Sequence, residues 1–322
     1  MLYSYRFTPL LMERVWGGRA LARFGKRLPP NKLIGESWEI SDRDDAQSVV
    51  TNGPDKGKTL HQLVETLGSW LLGANSAGAK RFPLLVKLLD ARERLSLQVH
   101  PPAAVAAKLG GEPKTEMWYI IDAAGDAHLI AGLRRGVTRT GFEQALRCSS
   151  ESLADLVHRI PVRKGDAMLV PSGRLHSIDA GLVIAEIQQN SDTTCRVFDW
   201  NRVGLDGKPR HLHPHESLAS IDFADFEPQL NPLPIGCKFF RTELISLSAP
   251  RADRCDGSTF HIIGCVDGSL VIRCSKNSGQ AEERLATGEF ALLPAAFGHY
   301  TLAPAAPGAK ALKVFVPGSK SI

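Results

Sequence analysis

A repeated order of glycine, acidic residue, proline and histidine restricts the fold of this chain more than any other feature. The stretch 165–176 runs glycine, acidic residue, four residues, proline, four residues, histidine, and the stretch 288–299 repeats that order. Each copy encodes a tight turn, an apolar strand and a second turn that delivers a histidine. Two copies in one chain predict two related β-barrels.

Most of the remaining chain also favours strands. Short apolar runs, such as the alternating segment 37–41, are separated by turns that use many of the 29 glycines and 20 prolines. Helical spacing is found in a few segments. The clearest is 59–73, where Thr59 is a suitable N-cap and Gly73 a suitable end. We therefore expect a mainly β fold of two jelly-roll β-barrel domains, with a few short helices inserted in the N-terminal part.

Composition argues against several classes of protein. The chain of 322 residues is 43% hydrophobic and 23% charged, which is typical of a globular protein, and its net charge is only +5. Basic residues are dispersed, so we expect no nucleic-acid partner. No run reaches the roughly 18 apolar residues of a membrane helix, and no signal-peptide pattern opens the chain. Six cysteines without a C-x-x-C pair indicate reduced thiols, so we expect a cytoplasmic protein.

Four polar residues have the chemistry of a metal site. Gln98 and His100 are two positions apart on a predicted strand, so their side chains project to one side. Glu116 opens an apolar strand, and His176 ends the first copy of the repeated pattern. Two imidazoles, a carboxylate and an amide oxygen can hold a divalent metal with room for a substrate.

Each of these residues also has an ordinary structural interpretation. His100 could be a core histidine with a backbone partner, Glu116 a surface carboxylate, and His176 a turn cap. A buried amide at Gln98 and a buried charge at Glu116 would then lack partners, and a metal supplies them. The residue types do not choose the metal, because two histidines and a carboxylate also suit non-haem iron.

Seven segments resemble one enzyme family, the type I mannose-6-phosphate isomerases (phosphomannose isomerases) in their short bacterial form, within the cupin superfamily. Gln-x-His-Pro and Asn-Ser-Asp-x3-Arg are specific to the family, whereas the Gly-Asp-x4-Pro-x4-His pattern is shared by cupins generally. The matching segments are 13–18, 35–39, 82–87, 95–101, 114–116, 170–178 and 186–202.

The resemblance implies a zinc enzyme that interconverts mannose 6-phosphate and fructose 6-phosphate through an enediolate. It implies one zinc ion per chain, with Gln98, His100, Glu116 and His176 as ligands. The catalytic metal-binding cupin domain, with its helical insertions, would then span 1–230. A Pro-rich linker at 228–236 would lead to a C-terminal cupin-like β domain without metal at 237–322.

The resemblance also implies roles for residues around the metal. It makes Arg196 the catalytic arginine, and this permanent cation suits stabilisation of an enediolate, although it could instead pair with Asp199 or Asp192. Ser96, Lys114 and Arg196 are the predicted substrate-binding residues. Lys114 could bind phosphate or hydroxyl, or shuttle a proton with a lowered pKa, or be a solvated rim lysine. Asp192 and Lys114 are the candidate bases.

Three positions depart from the family pattern. They are Ser177, Asp179 and Cys195, and they bear on substrate preference rather than on the metal. Two other functions remain open: a non-catalytic sugar-binding cupin, and an iron-dependent cupin oxygenase. A monomer or weak homo-oligomer is expected, with a small sugar phosphate as the partner.

A second group of histidines offers a different metal site. His211, His213 and His215 occupy alternate positions beside Pro214. We interpret them as turn histidines or as part of the rim of the site.

Overall fold

The computed structural model describes residues 2–148, 153–274, 282–305 and 308–318. Over these residues the chain is mainly β with a few short helices, as the sequence predicts. Its first half forms two antiparallel sheets. In spatial order, sheet one contains β1 (Leu10–Gly18), β2 (Ile34–Ile40), β5 (Leu84–Ala91), β12 (Leu182–Gln189), β7 (Glu116–Ala123) and β10 (Ala167–Val170). Sheet two contains β13 (Cys195–Phe198), β6 (Leu97–Val99), β11 (His176–Ile178), β8 (His128–Leu133) and β9 (Val157–Pro161).

The second half forms two further sheets. Sheet three contains β14 (Ile235–Gly236), β15 (Arg241–Leu247), β22 (Ala309–Phe315), β17 (His261–Asp267) and β20 (Phe290–Leu293). Sheet four contains β16 (Arg251–Cys255), β21 (Gly298–Pro304), β18 (Ser269–Cys274) and β19 (Glu283–Ala286). A separate small ribbon pairs β3 (Asp42–Arg43) with β4 (Ala46–Gln47).

The two halves share one strand order. Sheet one contains the order β5-β12-β7-β10 and sheet three the order β15-β22-β17-β20. Sheets two and four likewise contain β6-β11-β8-β9 and β16-β21-β18-β19. The repeated sequence pattern falls at equivalent places, because each copy runs from one sheet of its pair into the other. Within the described chain no sheet closes on itself, so each half consists of paired open sheets rather than the single closed sheet of a barrel.

Buried apolar side chains lie in layers between these sheets. One core separates sheets one and two and contains Trp118, Met168 and Ile184. Another separates sheets three and four and contains Ile263, Leu270 and Tyr300. The largest joins the outer faces of sheets one and three, together with the N-terminal segment and the first helices. The contact between the two halves therefore buries the second face of sheet one and of sheet three.

The helices lie mainly in the first half, as expected. Thr59 caps the first of them through a reciprocal bond with Gln62, which confirms the predicted start. The prediction of one continuous helix over 59–73 is wrong. Gly68, at φ 50° and ψ −121°, divides the segment into two helices. No helix in the described ranges is long and apolar enough to span a membrane. The α-helices are α1 (Leu60–Leu67), α2 (Ser69–Leu72), α3 (Ala103–Lys108), α4 (Arg139–Cys148) and α5 (Pro214–Ser220), with 3-10 turns at Ala20–Phe24 and Ala74–Ser76.

The Pro-rich stretch 228–236 runs from one half to the other along a sheet edge. The Asn231 backbone N–H donates to the carbonyl of Ala167, and the Asn231 side-chain oxygen accepts a bond from the Leu169 N–H. The stretch then joins sheet three through β14. It is therefore tied to both halves by backbone hydrogen bonds.

Phe82 and Phe260 are in contact in the core between the two halves, and a substitution there tests how much this core stabilises the fold. Their ring centroids are 4.5 Å apart and both side chains are fully buried. We expect Phe260→Ala to lower the free energy of unfolding by about 3–5 kcal/mol, because it removes apolar contact and leaves a cavity. Trp70→Ala, at a side chain that is 66% exposed, should change it by no more than about 0.5 kcal/mol. Equal effects of the two variants in denaturant titrations would contradict this description of the core.

Candidate functional site

One cross-strand row of sheet two brings together three of the predicted site residues. Gln98 on β6 is paired in register with His176 on β11 and with Arg196 on β13. Side chains directly opposite each other on antiparallel strands project to the same face. The pairing therefore places an amide, an imidazole and a guanidinium side by side.

A second polar row crosses sheet one. Trp38, Lys87, Glu186 and Trp118 are successive partners on β2, β5, β12 and β7. Lys87 Nζ lies 3.5 Å from Glu186 Oε1 and 4.8 Å from the centre of the Trp38 ring. The indole N–H of Trp118 donates to Glu186 Oε2 at 3.0 Å. Trp118 also belongs to the apolar core between sheets one and two, whereas Lys87 and Glu186 line a cleft.

Glu116, at the start of β7, lies between the imidazoles of His100 and His176. Its Oε2 is 3.2 Å from His100 Nε2, and its Oε1 is 3.6 Å from His176 Nε2. All three side chains have no exposed surface, and their potential ligand atoms lie within 4.8 Å of one another. His100 Nε2 and both Glu116 oxygens are buried without a well-oriented hydrogen bond. Apart from the Lys114 ammonium beside Glu116, no group satisfies these atoms in the described structure, and their convergence at one point fits a bound metal ion.

Backbone carbonyls fix both rings in the form that a metal requires. His100 Nδ1 lies 3.0 Å from the carbonyl oxygen of Thr193, and His176 Nδ1 lies 2.8 Å from that of Arg174. A carbonyl oxygen only accepts, so each Nδ1 carries the proton and donates it. Each Nε2 then carries a lone pair on the side of Glu116, which is the usual arrangement around a histidine ligand. That of His100 has no hydrogen-bond partner, and that of His176 has only the Gln98 amide nitrogen beside it.

The side-chain amide of Gln98 lies beside this group. Its Nε2 lies 3.2 Å from His176 Nε2, and its Oε1 lies 3.5 Å from the hydroxyl of Ser96. Rotation of the amide by 180° exchanges these two atoms and turns the oxygen towards the imidazoles. Metal ligation by Gln98 therefore needs only a side-chain rotation, with no change in the backbone.

Burial and neighbouring charges set the protonation of this group. Burial alone would raise the pKa of Glu116, but the Lys114 ammonium holds that pKa well below its usual range. Burial lowers the pKa of His100, and burial with the nearby His100 lowers the pKa of His176 to about 3. Both imidazoles are therefore neutral and Glu116 is ionised near neutral pH. These are the protonation states of metal ligands.

Lys114 is buried between two carboxylates. Its Nζ lies 2.8 Å from Glu116 Oε2 and 3.9 Å from Glu186 Oε1. Burial lowers the pKa of Lys114, but Glu116 and Glu186 more than offset this and raise it above its usual value. The lowered pKa considered for Lys114 from the sequence is therefore wrong for this arrangement, and so is an exposed rim position.

A cleft of about 560 Å³ opens beside the three buried ligand residues. It brings together all the predicted substrate-site residues, whereas His211, His213 and His215 do not line it. Asp192 is exposed at its edge, while Ser96 is buried. The charged and polar lining residues are Glu13, Arg14, Glu36, Lys87, Ser96, Gln98, Lys114, Glu186, Asp192, Thr194, Arg196, Asp206 and Arg210.

The guanidinium of Arg196 has no carboxylate within 4 Å among the described residues. Asp199, one of its two expected partners, instead pairs with Arg202 and Arg210. Burial and the nearby Arg210 lower the pKa of Arg196, although an arginine stays charged. The structural ion pair considered from the sequence is therefore absent, and an incompletely neutralised cation lines the cleft.

Glu186 is the residue that sequence reasoning left without a role. It is buried between Lys87 and Trp118, and burial together with Glu116 raises the pKa of its carboxyl. The signal in the sequence is an acidic residue inside the otherwise apolar run 182–187. Such a residue needs partners that only the sheet pairing reveals.

The three departures from the family pattern lie outside this ligand group. The hydroxyl of Ser177 donates to the carbonyl of Leu95 at 2.9 Å. Asp179 pairs with Arg94 and Arg159, each at 2.7 Å. Cys195 is a buried free thiol on β13, and the other cysteines whose side chains the structure describes are also free.

Comparisons with known proteins agree on one family. A family profile described as "Phosphomannose isomerase type I, catalytic domain" matches residues 5–120. Mannose-6-phosphate isomerase ManA of Bacillus subtilis is 42% identical over 218 residues, which is 67% of each chain. A crystal structure of the mannose 6-phosphate isomerase from Bacillus subtilis is 31% identical, with a TM-score of 0.85 over 97% of this chain and 99% of that one. The apo form of the Salmonella typhimurium enzyme, at 17% identity and a TM-score of 0.77, shares the fold over 98% of this chain and 100% of that one.

The buried neutral His176 makes the metal-free protein sensitive to acid. The unfolded chain binds a proton below the ordinary histidine pKa of about 6.5, whereas the folded site resists protonation until about pH 3. The free energy of unfolding should therefore fall as pH decreases through that window, by at most about 1.4 kcal/mol per unit for this group. In chelator-treated protein, His176→Asn should flatten the dependence, and His215→Asn, at an exposed position, should not. Parallel curves for all three proteins would refute the assignment.

Proposed function

This chain belongs to the type I phosphomannose isomerases, and we propose that it interconverts mannose 6-phosphate and fructose 6-phosphate through an enediolate. The observation that carries the proposal is the convergence of two histidines and Glu116 beneath a cleft that also holds Lys114 and Arg196. A sugar-binding protein would need the cleft but not this buried, ionised ligand set.

Zinc is the proposed metal, with one ion per chain. Gln98, His100, Glu116 and His176 would hold it with two nitrogen and two oxygen ligands, a set that zinc accepts. When bound, it would act as a Lewis acid on the carbonyl and hydroxyl oxygens of the sugar. Zinc is favoured over iron by the family to which the chain belongs, since the donor set suits both.

Arg196 is proposed to stabilise the enediolate. Aldose–ketose isomerisation removes the proton from C2, forms the C1–C2 double bond and moves charge onto O1. A fixed cation beside that oxygen lowers the barrier because its orientation is set before the reaction begins. Arg196 is partly buried and has no carboxylate within 4 Å in the described ranges, which leaves its charge available for this role.

Glu186 is the proposed base, in place of the candidates from the sequence. Its raised pKa suits proton transfer, and it lies in the cleft beside Lys114. It would take the proton from C2 and return it to C1, while a second proton moves from O2 to O1. Lys114 and Ser96 would orient the sugar phosphate, and Asp192, exposed at the rim, would contact the substrate without accepting the C2 proton.

Each half is proposed to be a cupin-type jelly roll. Eight strands divided between two facing sheets, in the order seen in both halves, are the composition of a jelly roll. The limits 1–230 for the catalytic unit and 237–322 for the second unit remain predictions. Cytoplasmic location and a monomer or weak homo-oligomer also remain predictions.

A coupled assay tests the proposed reaction. We expect fructose 6-phosphate to form from mannose 6-phosphate without oxygen consumption. Chelator should abolish turnover and added zinc should restore it. Oxygen uptake that depends on iron would indicate a cupin oxygenase. Binding of the sugar phosphate without turnover would indicate a non-catalytic cupin, and either result would overturn the proposal.

The identity of the base can be tested by two isosteric changes. Glu186→Gln should lower kcat by about 10²–10⁴-fold, because the amide cannot accept the C2 proton. Asp192→Asn should have a much smaller effect on kcat and should alter mainly KM. Exchange of the substrate C2 proton with solvent deuterium, followed by NMR, should slow in parallel with kcat for Glu186→Gln. The opposite ranking of the two variants would assign the base to Asp192.

A further inference from the structure

The segment 211–213, which plays no part in the proposed chemistry, contacts Arg196 at three points. The Arg196 backbone N–H donates to His213 Nδ1 at 3.0 Å. The His213 backbone N–H donates to the Arg196 carbonyl at 2.8 Å, and Arg196 Nη1 donates to the His211 carbonyl at 2.7 Å. One short segment therefore contacts both the backbone and the side chain of the proposed catalytic arginine.

We propose that His213 is a positioning residue for Arg196, with its neutral imidazole taking the place of a missing neighbouring strand. The proposal rests on the proposed function for the role of Arg196 in turnover. The contacts themselves do not depend on that role.

The position of β13 explains why such a support is needed. This strand lies at the edge of sheet two, with β6 as its only neighbour in the described sheet. Its pairing with β6 is irregular between Arg196 and Phe198. Edge strands leave N–H and C=O groups unpaired on their outer side, and irregular pairing weakens the control of side-chain direction. His213 satisfies the outer N–H and C=O of Arg196, one through its ring and one through its own backbone.

The side chain of Arg196 depends on the same segment. No carboxylate within 4 Å fixes its guanidinium in the described structure, and its Nε is buried without a partner. The His211 carbonyl is therefore the neutral group that orients it. Orientation by a carbonyl preserves the positive charge that a carboxylate would largely cancel.

The contact requires the unprotonated imidazole, because a protonated Nδ1 cannot accept the Arg196 N–H. His211, Arg196 and Glu216 are the charged or titratable groups around His213. Burial, His211 and Arg196 lower the pKa of His213, and Glu216 opposes them. As pH falls through this lowered pKa, protonation should therefore release Arg196 and reduce kcat.

The test compares two substitutions at one position. In His213→Asn, the side-chain oxygen lies near the former Nδ1 and can still accept the Arg196 N–H, whereas His213→Leu cannot accept it. We expect the leucine variant to lower kcat at least tenfold with little change in KM, and the asparagine variant to restore most of kcat. In the wild type, protonation of His213 should reduce kcat as pH falls. The asparagine variant, which has no titrating imidazole at this position, should not show that decrease. His215→Leu, at an exposed position on α5, is the matched control and should behave as wild type.

Amide hydrogen exchange separates this proposal from the proposed function. Exchange at the Arg196 amide should be slow in the wild type and in His213→Asn, and faster in His213→Leu, whether or not the protein is an isomerase. Melting temperature and zinc content, measured alongside, exclude general unfolding of the leucine variant. If the wild type shows no turnover but the exchange pattern holds, only the isomerase assignment fails. Equal kcat values or equal exchange for the two His213 variants would overturn the positioning role.

Discussion

The burial of the Glu116 carboxylate between two neutral imidazoles is the constraint on which the rest of the site depends. A carboxylate without exposed surface is costly to ionise unless positive charge and hydrogen bonds offset the lost hydration. Lys114 supplies one charge, and the imidazoles present lone pairs rather than protons to the carboxylate. Imidazole lone pairs and a carboxylate repel each other. A cation bound between them would remove that repulsion.

The two polar rows follow from this constraint. Lys114 needs Glu186 as well as Glu116, and Glu186 needs Lys87 and Trp118. Lys87, Glu186 and Trp118 come into register across three strands of sheet one. The facing row of sheet two brings Gln98 between His176 and Arg196. The site is therefore built from cross-strand pairing in both sheets, and the cleft opens where the two rows meet.

The second half shows that this frame alone does not make the site. By strand order and register, His261 at the start of β17 takes the place of Glu116 at the start of β7. The Nδ1 of the buried His261 lies 2.8 Å from the Tyr300 hydroxyl, and its ring also contacts Phe315. The equivalent of His176 is His299, whose side chain is exposed. The same strand order thus supports a polar cleft in one half and a packed interior in the other.

The proposed metal ligands could be predicted from the sequence because they follow from strand alternation and from family motifs. Alternation along a strand predicts that Gln98 and His100 share a side, and Thr59 with Gln62 predicts a helix start. The break at Gly68 was missed because apolar spacing continues through it, and only the backbone angles reveal the change. The roles proposed for Glu186 and His213 could not be predicted from the sequence for a different reason. Their partners, Lys87 and Arg196, lie on other strands or segments, and only the fold shows which polar groups meet.

Zinc coordination tests the central claim most directly. After zinc loading and gel filtration, the protein should retain one zinc ion per chain. Its X-ray absorption spectrum should show nitrogen and oxygen ligands that include two imidazoles, with no sulfur. His100→Ala should lose the ion while keeping the fold. Full zinc retention by that variant, or a sulfur ligand in the wild-type spectrum, would contradict the account.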